Sequence, residues 1–437
     1  MSINSLSNET PTPTIEKEAY FHGLIQREDV FQLLDNNGDY VVRLSDPKPG
    51  EPRSYILSVM FNNKLDENSS VKHFVINSVE NKYFVNNNMS FNTIQQMLSH
   101  YQKSRTEILE ACKILHPVRR QFWELDHGNI VIEKKLGEGA FGEVSSGVMK
   151  FKRGGRLVKV AVKQVKTDGI GKDQIKDFLM EARTMRNLGH PNIVRFLGIA
   201  VLQEPLFLVM ELATGGALDS YLKHNELLPI DKRHEMLLQA AWGLEYIHGK
   251  PMLHRDIAAR NCLYGDGKVK ISDFGLTRRG TIYQLHPETK SPIRWLAVCS
   301  QKTDVWAYGI LCWEIFNNGA EPYPGLTANE VAKQVTDGYR MPPHQLAAPE
   351  VQALMTRCCA ENPNDRPTMS DVAQILQRVT GQGRPNFAAI AKKEAEELLI
   401  MNSRSARRTS RRKGSNKKSA IPNGVLTPVN RAQEIKH

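Results

Sequence analysis

Two hydrophobic rhythms divide the chain. Between Tyr20 and about Pro117, apolar positions first recur at helical spacing (Val30, Leu33, Leu34). They then fall into short runs, Tyr40–Leu44, Tyr55–Met60 and Lys72–Ile76, parted by Pro/Gly- and Asn-rich turns. Ile94, Met97, Leu98 and Tyr101 follow at i, i+3, i+4, i+7, the stripe of a second amphipathic helix. Strands between two helices predict a compact α+β module. A second domain opens near Ile130, strand-rich in its first third and helix-rich to about Val379. We therefore expect domains at 20–118 and 130–380 with a linker at 119–129. Residues 1–19 are rich in Ser, Thr, Asn and Pro and without period, so they are expected to be disordered. Residues 381–437 are expected to form a basic, largely disordered tail, although Phe387, Ile390, Ala391, Leu398 and Leu399 fit one face of a helix.

Composition narrows the class. Hydrophobic content of 41% and charged content of 24% suit a globular protein, and no run reaches the apolar length of a membrane span. The first residues have neither the charge nor the apolar core of a signal peptide, and position 2 is Ser, which does not accept a myristoyl group. The six cysteines, at 112, 262, 299, 312, 358 and 359, form no CxxC pair and read as reduced thiols of a cytoplasmic protein. Of the net charge of +11, residues 381–437 supply +9, from 13 Lys/Arg against 4 Glu. The charge thus describes the tail rather than the domains. The eight basic residues between Arg404 and Lys418 suit an anionic membrane surface, such as the inner face of the plasma membrane; a nucleic-acid partner is not expected.

Candidate chemistry is concentrated in the second domain. Gly137-Glu138-Gly139-Ala140-Phe141-Gly142-Glu143-Val144 fits G-x-G-x-x-G-x-V, in which glycines let backbone amides approach phosphates. Lys163 lies in the strand-like run Lys159–Val165, and Glu181 in the helical run Ile175–Leu188. One such lysine and one such glutamate can pair, leaving the lysine to hold the α- and β-phosphates. His254-Arg255-Asp256-Ile257-Ala258-Ala259-Arg260-Asn261 matches H-R-D-L-x-x-x-N with one conservative change, and Asp273-Phe274-Gly275 begins twelve residues after Asn261. A carboxylate that orients an attacking hydroxyl, and an amide with a second carboxylate to hold magnesium, are the groups phosphoryl transfer needs.

These elements, in this order, resemble the eukaryotic protein kinases over about 250 residues. Ala258-Ala259-Arg260 and Pro292-Ile293-Arg294-Trp295 make the resemblance one to the tyrosine kinases. It implies a bilobal fold, β-rich then α-rich, using ATP and Mg2+. It implies that Asp256 is the base, with Arg260 beside it, and that Asn261 and Asp273 are the metal ligands. Leu136, Val144, Ala161 and Leu263 would sandwich adenine, with Met210 as gatekeeper and Glu211–Ala213 as hinge. Tyr283 would be the autophosphorylation site, and Arg255 the cation that receives its phosphate.

Arg43 sits mid-strand, between apolar neighbours and in phase with Val41, so it is aimed inward and needs an anion. Tyr20-Phe21-His22-Gly23, Arg27, Val41-Val42-Arg43-Leu44-Ser45 and Lys72-His73-Phe74 together resemble an SH2 domain. The resemblance implies a phosphotyrosine pocket. Arg43 would fork onto the phosphate and Arg27 would stack on the phenol. Ser45 and the loop Asp46–Ser54 would add hydrogen bonds, and His73 would pack below. Val75 stands where some SH2 domains carry a lysine. SH2 followed by kinase resembles the Fes/Fer group of non-receptor tyrosine kinases. The implied partners are tyrosine-phosphorylated proteins and protein-tyrosine substrates.

One departure stands out. Trp295-Leu296-Ala297 runs directly into Val298-Cys299-Ser300, without the Pro and Glu of the kinase Ala-Pro-Glu motif. The resemblance pairs that Glu with Arg366, and a buried pair broken from one side costs about 3–5 kcal/mol. An SH2 adaptor with an impaired kinase fold is therefore the alternative reading. The complete set of Lys163, Glu181, Asp256, Asn261 and Asp273 favours an active kinase.

Overall fold

The computed structural model describes residues 14–45, 53–109, 112–139, 142–151, 156–165, 172–284 and 298–402. The basic stretch 404–418, the platform Pro292–Trp295 and most of the loop Asp46–Ser54 lie outside the described residues.

The first domain runs α1 (Arg27–Phe31), β1 (Asp39–Leu44), β2 (Tyr55–Met60), α2 (Glu67–Ser70), β3 (Val71–Val79), β4 (Lys82–Phe84), α3 (Ile94–Ser104) and β5 (His116–Pro117). Its sheet has the order β4-β3-β2-β1-β5, antiparallel except for β1 with β5. The predicted stripe closes one face. Ile94, Met97, Leu98 and Tyr101 are buried, and the Thr93 hydroxyl caps α3 by accepting from the Gln96 N–H. The expected disorder of residues 1–19 does not extend to their last part. Ile15 is buried in this core, and Glu16 accepts a hydrogen bond from the Tyr55 hydroxyl.

The second domain opens with an antiparallel sheet, β6 (Ile130–Gly139), β7 (Gly142–Lys150), β8 (Leu157–Val165), β9 (Phe196–Ala200) and β10 (Leu206–Glu211), in the order β6-β7-β8-β10-β9. Helix α4 (Lys172–Arg186) packs on it. Gly142 has φ +149°, and a Cβ there would meet the Gln164 carbonyl oxygen at 2.0 Å, so β7 can run this close to β8 only with glycine. The helical lobe follows. It contains α5 (Leu218–His224), α6 (Ile230–His248), β11 (Met252–Leu253), β12 (Cys262–Gly265), β13 (Lys268–Ile271), β14 (Arg278–Arg279), β15 (Ile282–Gln284), β16 (Val298–Ser300), α7 (Gln301–Phe316), α8 (Ala328–Thr336), α9 (Pro349–Cys358) and α10 (Met369–Thr380). Helix α6 is its axis, with Met236, Leu237, Leu238, Ala241 and Leu244 fully enclosed. The stretch assigned to the tail opens with a last helix, α11 (Phe387–Asn402). Phe387, Ile390, Ala391 and Leu398 are half-buried on it as the stripe predicts, whereas Leu399 faces outward.

The linker is structured. Trp123 and Leu125 pair with Ile199, and Trp123 joins Val30 and Leu34 of the first domain to Phe178 and Met185 of α4 in one apolar cluster. No helix among the described residues is long and apolar enough to cross a membrane.

Candidate active site

Sheet register brings the candidate nucleotide residues together. Lys163 on β8 stands opposite Val144 on β7 and Leu208 on β10, and Ala161 stands opposite Met210. Gly137 pairs with Val144 and Gly139 with Gly142, so the two arms of the glycine-rich run are antiparallel partners at the edge of this sheet. Leu136 is exposed, and Glu138 is an exposed side chain bonded to Lys135 at 2.6 Å. On the floor, Leu263 lies on β12 and bridges to Ala217. Glu211 ends β10. Its backbone N–H donates to the Arg195 carbonyl at 3.0 Å, and its carboxylate takes Lys270 Nζ at 2.7 and 2.8 Å.

Lys163 Nζ donates to both oxygens of Glu181, at 2.7 and 3.0 Å, with both residues buried. Burial drives the Glu181 carboxyl above its ordinary range and Asp273 adds to this, while Lys163 opposes both. The pair thus faces the same space as Asp273, whose own carboxylate is exposed and whose φ is +57°. The next side chain, Phe274, is buried edge-on to His254 at 5.2 Å.

The loop from His254 to Asn261 is held from beneath. Asp304 on α7 accepts the backbone N–H groups of His254 (2.9 Å) and Arg255 (2.8 Å), and His248 Nε2 lies 3.0 Å away. Glu314, also on α7, accepts the Ala259 N–H at 3.0 Å. Above, Arg260 reaches Asp256 Oδ1 at 2.6 Å, and Asn261 Nδ2 donates to the Asp256 carbonyl at 2.8 Å. The Asn261 amide oxygen and the exposed Asp273 carboxylate are the groups that could hold a divalent cation here. Neither Asp304 nor Glu314 was singled out in the sequence. The only signal was an acid at a core-facing position of an apolar helix.

Tyr283 belongs to β15, whose backbone pairs with β16 in the register Tyr283 with Cys299; its side chain lies outside the described residues. Arg255 donates to the Leu276 carbonyl at 3.1 Å. Arg366, which lacks the expected Glu, is 7% exposed and solvated by protein. It donates to the carbonyls of Ala360 (2.8 Å), Lys302 (2.9 Å) and Glu361 (3.2 Å), and lies 4.8 Å over the Trp306 ring.

In the first domain Arg43 is 4% exposed, with Nε 3.2 Å from the Ser58 hydroxyl, which in turn lies 2.8 Å from His73 Nδ1. Ser58 is a member that sequence reasoning missed; being small and polar on a strand, it carried no signal. Burial pushes His73 down to about 4, with Arg43 and Arg27 adding to the effect. Arg27, at the start of α1, is exposed and close enough to matter electrostatically. The Ser45 hydroxyl accepts the Ser54 N–H at 2.9 Å, closing the base of the loop between them.

A two-lobed domain with a paired lysine and glutamate over an HRD loop, joined to a β-sheet module with a buried arginine, defines an SH2-linked protein kinase. The family model described as protein tyrosine and serine/threonine kinase matches residues 130–376, and that of the SH2 domain matches residues 20–101. Among curated relatives, Fer-related kinase 1 of Caenorhabditis elegans is 35% identical over 388 residues, covering 86% of this chain and 97% of the relative. Tyrosine-protein kinase Fer of Homo sapiens is 34% identical over 389 residues, 86% of this chain and 45% of that protein. Tyrosine-protein kinase Abl of Drosophila melanogaster is 34% identical over 398 residues, 85% and 24% respectively. The chain thus spans nearly all of the nematode relative and less than half of the human one. It belongs to the SH2-containing, non-receptor protein tyrosine kinases.

Proposed function

We propose that this chain transfers the γ-phosphoryl of ATP to tyrosines of proteins that its SH2 domain has docked. The observation that carries the reading is the buried Lys163–Glu181 pair within electrostatic reach of Asp273, whose neighbour Ser272 donates to the Asn261 carbonyl at 2.8 Å and so ties it to the Asp256–Asn261 loop. Lys163, held by Glu181, clamps the α- and β-phosphates. Leu136, Val144, Ala161 and Leu263 enclose the base, Met210 limits the depth of the pocket, and the chain from Glu211 hydrogen-bonds the adenine edge. Gly137, Glu138, Gly139 and Gly142 cover the phosphates. Asn261 and Asp273 would hold Mg2+, which neutralises phosphate charge when bound. Asp256 orients the tyrosine hydroxyl and takes its proton as the phenol oxygen bonds to the γ-phosphorus. The bond from that phosphorus to the ADP oxygen breaks, leaving ADP and phosphotyrosine. Arg260, paired with Asp256 at 2.6 Å, keeps the carboxylate aimed.

In the SH2 domain, Arg43 forks onto the phosphate, Ser45 and Ser58 bound the pocket, Arg27 covers the ring and neutral His73 packs beneath. Docking of a phosphorylated partner raises the effective concentration of its other tyrosines. Tyr283 is the proposed autophosphorylation site. The test compares the full chain with Asp256→Asn, using ATP, Mg2+ and poly-Glu-Tyr. Phosphotyrosine from the wild type, lower by roughly a hundredfold or more in the variant, supports the reading. No signal from folded wild type rejects it.

A further inference from the structure

Helix α11 carries no residue of either site, yet its inward stripe is continuous: Phe387, Ile390, Ala391, Glu394, Leu398 and Met401 are half-buried, at spacings of three and four. Its first turn is fixed to the helical lobe. The Phe387 ring lies 5.3 Å from Trp242 of α6 and 4.3 Å from His190, and Arg384 just before it pairs with Glu245 of α6 at 2.9 Å. Its last turn is fixed to the other lobe. Leu398 and Met401 pack on the apolar face of the β-sheet formed by Ile130, Phe151, Phe207 and Val209. Midway, Ala391 passes the turn between α4 and β9 closely enough that a Cβ on Gly189 would sit 3.8 Å from its methyl.

Also midway, Glu394 lies 3.8 Å from Arg195. Arg195 exchanges backbone bonds with the end of β10: its N–H donates to the Glu211 carboxylate at 2.7 Å, and its carbonyl accepts the Glu211 N–H at 3.0 Å. Glu211 is in turn tied to Lys270 of the helical lobe. A relay therefore runs from α11 through Arg195 to the strand end that leads into the hinge.

We propose that α11 is a brace across the two lobes, with Glu394 and Arg195 as positioning residues that fix the end of β10 for nucleotide binding. This rests on the phosphotransfer reading above. Besides the chain crossing, the lobes are tied where Asn192 and Val194 bond Ile271 and where Glu211 pairs with Lys270, all close to the crossing, so they pivot about it unless something spans them farther out. A 16-residue helix is a rod of about 24 Å, stiff enough to do so. If the brace holds the binding-competent arrangement, loosening it divides apparent ATP affinity by the lost population and leaves the chemical step of bound complexes nearly unchanged.

The test uses the full chain with Glu394→Arg, Arg195→Glu, the double exchange of the two, and Leu398→Ala at the far end. Amide hydrogen exchange without nucleotide is read over 206–213, and KM for ATP and kcat are read on poly-Glu-Tyr. Each single variant is expected to speed exchange over 206–213 and raise KM for ATP about threefold to fivefold, the scale of a partly exposed ion pair. kcat should stay within about twofold, and the double exchange should restore both readings. Exchange that rises only within 387–402, with KM unchanged, overturns the brace, as does a double exchange that rescues nothing. If Arg195→Glu does not fold, Leu398→Ala poses the same question. If the wild type transfers no phosphate, exchange over 206–213 still decides the brace by itself.

Discussion

Arg183, on the same helix as Glu181, forks onto Asp29 of the SH2 domain, with Nε 3.0 Å from one carboxylate oxygen and NH2 3.0 Å from the other. Arg186, one turn on, reaches Asp29 at 3.2 Å and lies 4.3 Å over the Trp123 ring. Gly23 lets the backbones meet: with φ +63°, a Cβ there would stand 2.3 Å from the Val201 carbonyl oxygen. The SH2 domain therefore grips the helix that holds Lys163 in place.

Because a bidentate pair with little exposure is worth more than a surface pair, Asp29→Asn should loosen α4 while leaving the phosphotyrosine pocket untouched. The expected result is a fall of about threefold to tenfold in kcat/KM on poly-Glu-Tyr, with phosphopeptide affinity unchanged by titration calorimetry. Arg183→Ala should do the same, and the double variant should fall well short of the product of the single effects, because the two residues share one contact while Asp29 keeps Arg186 and Arg183 keeps Gln26 as second partners. Independent, multiplying effects would show that the contact is not the link.

Arg366 bears on whether the shortened segment after Ala297 disables the fold. Among the described residues its charge is met by three carbonyls and the face of Trp306, which offset part of the cost expected for a broken pair. Arg366→Ala should remove these contacts and leave buried acceptors, destabilising the protein by about 2–3 kcal/mol in urea unfolding. Arg366→Lys should recover less than half, since an ammonium cannot reproduce the planar fork or the stacking. If Arg366→Ala costs nothing, the carbonyl cage is not holding the lower lobe together.

The difference between what was legible in the sequence and what was not lies in range. The stripe of α3, the β runs of the first domain and the spacing from His254 to Asp273 are local patterns, set by helix and strand periods and by the reach of one loop. Asp29 with Arg183, Glu394 with Arg195 and Asp304 beneath His254 are pairings between distant segments. Each is a charged residue that, read alone, belongs on the surface, and only tertiary placement makes it a partner. Ile15 was hidden for a different reason: a single apolar residue in a polar stretch has no period, so its burial is decided by the surface it meets; Trp123, between Phe122 and Leu125, lies in a stretch too short to show one.

Two histidines are expected to contribute to the loss of stability in acid. Burial lowers His73 and His190 to about 4, in His190 with help from Arg384. Their unfolded values lie near 6.5, so between pH 6.5 and 4 the unfolded chain binds more protons than the folded one. The stability they contribute is complete above about pH 6.5 and is lost as pH falls toward 4. Allowing for partial solvent screening at His73, each should cost about 1 kcal/mol by pH 5.5. Urea midpoints at pH 7.5, 6.5 and 5.5 should fall accordingly, and His190→Gln, whatever it does to the baseline, should flatten that slope. An unchanged slope in His190→Gln would show that His190 does not carry the acid limb.

Glu314 works in the opposite direction and sits under the catalytic loop. Burial raises its carboxyl to about 7, partly offset by the Ala259 N–H and by Arg260, while Asp219 adds to the rise and Lys223 opposes it. A folded value above the unfolded one means the folded state holds the proton better. The stability it contributes is therefore complete below about pH 4.5 and is lost as pH rises through 7. Glu314→Gln keeps an oxygen for the Ala259 N–H and removes the buried charge. It should leave kcat within about threefold and stabilise the protein at pH 8.5, but not at pH 5, by about 2 kcal/mol. Glu314→Ala removes the acceptor as well, leaving the Ala259 N–H buried without its bond, and should lower kcat about tenfold as the segment between Asp256 and Asn261 loosens. The measurement is kcat and the urea midpoint of the three proteins at both pH values. A Gln variant that loses activity as fully as the Ala variant would mean that the charge itself, and not the hydrogen bond, holds the loop.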